Sequence, residues 1–149
     1  MSAAFDDRSY PKRPILGVGG LILDGQSIVL VRRGKEPLMG YWTIPGGAVE
    51  TGESLDLALR REVVEETGLI VEPGPLVTIF ERITPDDDGR ARYHYVLADY
   101  LCFVKGGKLR AGSDVTDARW VRRSDLPQVQ LTSGTLAVIE KAFDGQMVV

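Results

Sequence analysis

PGGAVETGESLDLALRREVVEETGL, residues 45–69, is the stretch whose reading decides the fold. It passes from a Pro-Gly-Gly turn through a polar segment to Ser54, a good N-cap, because its hydroxyl can accept from a free amide of the first turn. From 55 to 67 there is no Gly or Pro and strong helix formers dominate. Gly68 stands where a left-handed C-cap belongs. The spacing predicts a helix over 55–67.

On a wheel of about 100° per residue, Leu55, Leu59 and Val63 form one apolar stripe with Ala58 beside it. Glu62 and Glu66 fall inside that sector and Glu65 at its edge. A solvated helix places its acids opposite the core-facing stripe. Here they intrude on it. Spacings of one, three and four residues let the three carboxylates converge. Clustered anions repel and are costly to desolvate, so a compensating cation is expected. No protein cation is expected to face the cluster. All-oxygen ligands favour hard ions, Mg²⁺ first beside phosphate and Mn²⁺ as a substitute. The alternative is a surface helix whose acids pair with Arg60 and Arg61. The helix alone does not decide between these readings.

Outward from this stretch, 15–23 and 27–33 read as strands joined at Asp24-Gly25, a hairpin signal. Pro37, Gly40, Pro45, Gly46 and Gly47 punctuate a loop. Residues 76–83 and 92–105 read as strands flanking a polar turn at 85–90, and 118–121 as a short one. Residues 132–143 carry Leu136, Ile139 and Phe143 at helical spacing. The order points to an α/β fold, a mixed sheet covered by helices. Residues 1–14, broken by Pro11 and Pro14, read as a lead-in, and 15–149 as one domain.

Composition narrows the function. The chain has 149 residues, is 44% hydrophobic and carries a net charge of −3. It is long enough for a real core. Without a basic tract, nucleic acid is not an expected partner, since such binders show a lysine- and arginine-rich footprint. No apolar run is long enough to span a bilayer, and the polar, acidic start lacks the pattern of a signal peptide. With a single cysteine there is no intrachain disulfide and no cysteine-cluster metal site. A cytoplasmic protein is expected, without membrane partner, and a homodimer is left open.

Read in full, the stretch runs Gly47, five residues, Glu53, seven residues, Arg61-Glu62-Val63, one residue, Glu65-Glu66, one residue, Gly68-Leu69. This resembles, at every position, the signature of the Nudix hydrolases. The lead-in 42–45 is also similar to the family's, and the strand order resembles its α/β/α sandwich with a mixed sheet. The resemblance implies a hydrolase that splits a nucleoside diphosphate linkage. The Gly47 carbonyl and Glu62, Glu65 and Glu66 would hold Mg²⁺, and Glu53 and Arg61 would pair to brace the loop. The metal would neutralise the diphosphate and acidify a water. Family members differ in which carboxylate acts as base. Glu62 is one candidate. Asp114 is another, with Asp117, in the segment before Trp120, where many relatives carry Glu.

Arg32 and Arg33 end a strand near the glycine turn and are candidates for substrate phosphates, Arg33 first, beside the bland reading of a solvated strand end. Trp42, and Tyr93 or Tyr95, are candidates to stack on or bond the nucleotide substrate. His94 and Cys102 read as structural, and Asp86 to Asp88 as a solvated turn. The span from Leu69 to Pro85 is similar to that preceding a proline in the ADP-ribose pyrophosphatase branch, which favours ADP-ribose. Triphosphate clean-up, as in MutT-like members, stays open. A nucleotide-sensing regulator usually adds a DNA-binding domain, and the roughly 80 residues after the signature are expected only to complete the fold. A structural module with an accidental motif is disfavoured by the number of matched positions.

Overall fold

The structure is a computed structural model and describes residues 8–148. Of the lead-in at 1–14, residues 1–7 lie outside the described residues. The strand predicted from residue 15 is β1, Ile15–Asp24, and it leads through a turn at Gly25 (φ 59°) into β2, Ser27–Arg33. The segment 34–54 is not all loop. It contains β3, Trp42–Thr43, and β4, Gly46–Ala48, each too short to leave a periodic signal.

The helix α1, Leu55–Thr67, has the predicted bounds. Ser54 Oγ accepts from the amide of Leu57 at 3.1 Å, and Gly68, at φ 74°, donates its amide to the carbonyl of Val64. Thr67 then turns the chain, donating from its hydroxyl to the Val63 carbonyl and accepting from the amide of Leu69. The chain therefore enters β5, Leu69–Pro85, at once. This strand and β6, Ala91–Gly107, are both longer than periodicity suggests, because shifts of register at 70/71, 73/76, 76/78 and 84/85 let prolines and glycines interrupt the pattern without ending the pairing. β7 runs Val115–Arg122, a 3₁₀ turn Arg123–Gln128, and α2 Thr135–Phe143.

The sheet is seven-stranded and mixed, in the order β3-β2-β1-β6-β5, with β4 on β1 and β7 on β2. Only β1 and β6 run parallel among the named strand pairs. The first half of β1 pairs with β4, and its last two residues with β2. β1 thus fixes the glycine turn against the body of the sheet. One face carries α1, whose Ala58, Leu59 and Val63 pack on Val18, Ile22, Val29, Val71 and Cys102. The other carries α2, whose Val138, Ile139 and Ala142 pack on Leu21, Ile28, Leu30 and Val77. Fully burying one such aliphatic side chain is worth about 1.5–3 kcal/mol, so the stripe on α1 alone holds the helix in register. The architecture is helix, mixed sheet, helix.

Candidate active site

Packing delivers the chemistry to one place. Because Leu59 and Val63 must face the sheet, Glu62 and Glu66 are carried inward with them, toward the β4 turn. Glycine is required there. A Cβ on Gly46 would overlap the Val18 carbonyl, and one on Gly47 would fall on the Glu62 carboxylate. The absence of side chains thus brings the turn's backbone against the helix acids.

The three carboxylates have different surroundings. The amide of Gly46 donates to Glu66 Oε1 at 3.0 Å. Burial pushes the Glu66 carboxyl up to about 8, against the pull of that hydrogen bond. Glu62, with a side chain 16% exposed, is also raised, again mainly by desolvation. Glu65 is turned outward at 42% exposure. The three do not converge on one point. Among the described residues no three carboxylate, imidazole or thiol groups are gathered closely enough to hold one ion.

Arg61 explains the arrangement. Its Nε donates to Glu53 Oε2 at 2.6 Å and its Nη2 to Oε1 at 2.9 Å, a two-pronged pair. Nη1 reaches Glu62 at 2.8 Å and Glu65 at 3.1 Å, and Nη2 also reaches the Ala48 carbonyl at 3.2 Å. The Glu50 amide donates to Glu53 as well. The guanidinium holds the Glu53 carboxyl down to about 2. The predicted pairing of Arg61 with Glu53 is present. The expectation that no protein cation faces the acids is corrected: Arg61 meets two of the three, because its long side chain folds back along its own helix. Arg60 pairs instead with Asp56 at 2.6 Å.

Of the other candidates, Asp114 and Arg33 lie within electrostatic reach of Glu66. Asp114 is ion-paired with Lys35 at 3.2 Å, and the amide of Gly34 bonds its carbonyl. It lies near enough to Glu66 to raise its pKa, as Arg33 lies near enough to lower it. Asp117 is occupied by Arg119 and by the amide of Ala118. Arg33 donates to the Pro37 carbonyl at 2.7 Å, which holds the loop after β2. Trp42 pairs with Arg32 and carries the Arg119 guanidinium 5.6 Å from its ring centroid. Tyr93 is buried and lines a cavity of about 720 Å³ with Tyr10, Pro37, Leu38, Pro85 and Arg92. Cys102 is a core thiol, pushed up to about 12 by burial. Sequence reasoning did not single out Asp99, a buried carboxylate on β6. The signal was available: one acid inside the apolar run 96–104.

A glycine turn paired with the first strand is thus set against a helix that presents acids through its packed face, in an α/β fold with a mixed sheet. The chain belongs to the NUDIX domain family, whose model it matches over residues 13–141. It is 35% identical over 116 residues to an ADP-ribose pyrophosphatase of Methanocaldococcus jannaschii, covering 78% of this chain and 66% of that protein. It is 34% identical to a putative 8-oxo-dGTP diphosphatase 2 of Mycobacterium tuberculosis, over 86% of this chain and 89% of that one. The crystal structure of a MutT NUDIX hydrolase from Burkholderia pseudomallei superposes with a TM-score of 0.77 at 30% identity, over 87% of this chain and 98% of the other. The chain spans about a third of the mammalian relatives that it matches. Among the described residues no helix is long and apolar enough to cross a membrane.

Proposed function

We propose that this chain is a divalent-metal-dependent pyrophosphohydrolase that cleaves the diphosphate linkage of a nucleoside diphosphate derivative, ADP-ribose first. One observation carries it. Glu66 is buried against the glycine turn with its carboxyl raised to about 8, while Arg61, which pairs with Glu53, Glu62 and Glu65, makes no contact with it. A buried carboxylate without an ion pair is costly to charge, and a hard divalent ion relieves that cost. The donor set of Gly47 carbonyl, Glu62, Glu65 and Glu66 is all oxygen, the chemistry that Mg²⁺ prefers, with Mn²⁺ as substitute, and Glu65 would have to leave its contact with Arg61 to join the other three. When bound, such an ion supplies charge neutralisation for the diphosphate and acidifies water.

The remaining work falls to the chain. Arg61 and Glu53 hold the turn against α1 through the Ala48 carbonyl and the Glu50 amide. Glu62 is assigned as the general base, since it is buried against Gly47 and desolvation raises its carboxyl, whereas Asp114 is exposed. Arg33, whose charge reaches Glu66, is assigned to a substrate phosphate, Trp42 to aromatic contact with one end of the substrate, and the buried Tyr93 to the wall of the cavity that takes the other.

ADP-ribose is favoured by the archaeal relative's name and by the span from Leu69 to Pro85, which is similar to that of the ADP-ribose pyrophosphatase branch. A triphosphate is the second reading, favoured by the mycobacterial relative. The test compares kcat/KM for ADP-ribose and for each nucleoside triphosphate under the same Mg²⁺. ADP-ribose should give AMP and ribose 5-phosphate, whereas a triphosphate gives pyrophosphate and the monophosphate. A clear preference for any triphosphate overturns the ADP-ribose assignment. Protein treated with chelator should be inactive and recover with Mg²⁺ or Mn²⁺. Full turnover in excess chelator would sink the metal requirement.

A further inference from the structure

Asp99 lies within β6, 4% exposed, and its Oδ1 has no hydrogen-bond partner, alone among the buried side-chain oxygens and nitrogens of the described residues. Burial raises its carboxyl to about 6, opposed only by the field of Arg82. The fold gains nothing from such a group. A buried polar atom left unbonded costs free energy, and an apolar residue of similar size would avoid that cost. Residues that break the local rules of a core without a compensating contact are characteristic of functional sites.

The register shows what Asp99 faces. It pairs with Gly19 on β1 and Thr78 on β5, and Gly19 pairs with Gly46 on β4. A Cβ on Gly19 would overlap Oδ1 and crowd the end of Ile44, so the carboxylate lies over that glycine, beside Ile44. Strands lie about 4.8 Å apart, which puts Asp99 about 10 Å from Gly46, the length of a nucleoside. Alternation places Tyr95 and Leu97 on the same face of β6, with Arg82 and Phe80 as their partners on β5. The Arg82 guanidinium sits 5.2 Å from the Phe80 ring centroid and donates to the Ser133 carbonyl at 2.9 Å, which leaves Asp99 outside its hydrogen bonds.

We propose that Asp99 is a specificity-determining residue of the substrate pocket, its carboxylate accepting a hydrogen bond from a donor of the nucleoside while the diphosphate lies at Gly46 and Gly47. The donor is either a ribose hydroxyl or the amino edge of the base. This assignment rests on the pyrophosphohydrolase reading above. Ile44 stands over the same glycine.

Asp99→Asn and Asp99→Leu are compared with the wild type on whichever nucleotide it uses best, with thermal melts alongside. KM should rise about tenfold or more in Asp99→Leu and less in Asp99→Asn, with kcat changing less than KM, as for loss of a charged hydrogen bond. The melting temperature of Asp99→Leu should hold or rise. A purely structural carboxylate would do the reverse, lowering the melting temperature and sparing KM. Deoxyribose and hypoxanthine analogues separate the two donors: the wild type should discriminate against one of them, and Asp99→Leu should lose that discrimination. Unchanged KM in both variants, or equal discrimination by wild type and variant, overturns the proposal. If the wild type hydrolyses no nucleotide with Mg²⁺ or Mn²⁺, the hydrolase reading fails separately. Calorimetric titration of AMP into wild type and Asp99→Leu then decides the Asp99 assignment, equal affinity counting against it.

Discussion

Glu53 and Glu66 are the same residue type, thirteen positions apart, and their surroundings drive them in opposite directions. The Arg61 fork holds Glu53 down to about 2, while burial raises Glu66 to about 8. Glu66→Gln tests the second. The amide oxygen can still accept from the Gly46 amide, so the turn should stay in place and no cavity forms. The charge is gone, and activity should fall on the order of 10²-fold or more, the usual scale for losing an electrostatic contact at a reacting centre. An unchanged rate at saturating metal would show that Glu66 takes no part. At this scale the sequence was partly legible. Spacing brings Gly47, Glu53, Arg61, Glu62 and Glu66 to one place, as the signature implies. It does not reveal that Arg61 spends one nitrogen on Glu62 and Glu65, because that depends on a side-chain rotamer and not on position. Asp99 belongs to no motif, and its isolation becomes visible only when strand pairing surrounds it.

Among the elements, α1 was legible to the residue because its caps and its apolar stripe agree. Ser54 and Gly68 end it where they should, and Leu59 and Val63 are buried as the wheel requires. β3 and β4 were illegible, since strands of two and three residues carry no period, and they exist only because β2 and β1 are there to pair with. The closing helix starts at Thr135 and not at 132, since Gly134, at φ 83°, bends the chain first and packs against Phe80. What joins the legible helix to the illegible turn is Arg61. Arg61→Ala should lower the melting temperature and cut the rate about 10- to 100-fold, the scale for removing a group that orients metal-binding residues. Arg61→Lys keeps the charge but not the fork, so it should recover less than half of the lost stability. If Arg61→Ala melted and turned over like the wild type, the bracing of the turn would be wrong.

At the scale of the whole molecule, the shifted carboxyls make stability depend on pH in a way that metal should alter. Glu53 is held below its ordinary 4.5, so its contribution is present above that value and is lost as pH falls toward about 2. Glu66, Glu62 and Asp99 are shifted the other way. For these the folded chain binds more protons than the unfolded chain above the ordinary carboxyl range. Their contribution is complete below about 4 and declines as pH rises, through about 6 for Asp99 and about 8 for Glu66. Protein in chelator should therefore lose melting temperature steadily from about pH 5 to about pH 8, and flatten above it. A divalent ion held by Glu62 and Glu66 favours their charged forms, so Mg²⁺ should raise the melting temperature most at the alkaline end of that window and release protons on binding. Asp99 is not among the proposed ligands, and the part of the decline centred near pH 6 should persist with Mg²⁺. Differential scanning calorimetry across this range, with chelator and with Mg²⁺, separates the two contributions. A chelated protein whose melting temperature rises from pH 5 to pH 8, or a Mg²⁺ effect that is largest at the acid end, would contradict the placement of these carboxylates inside the fold.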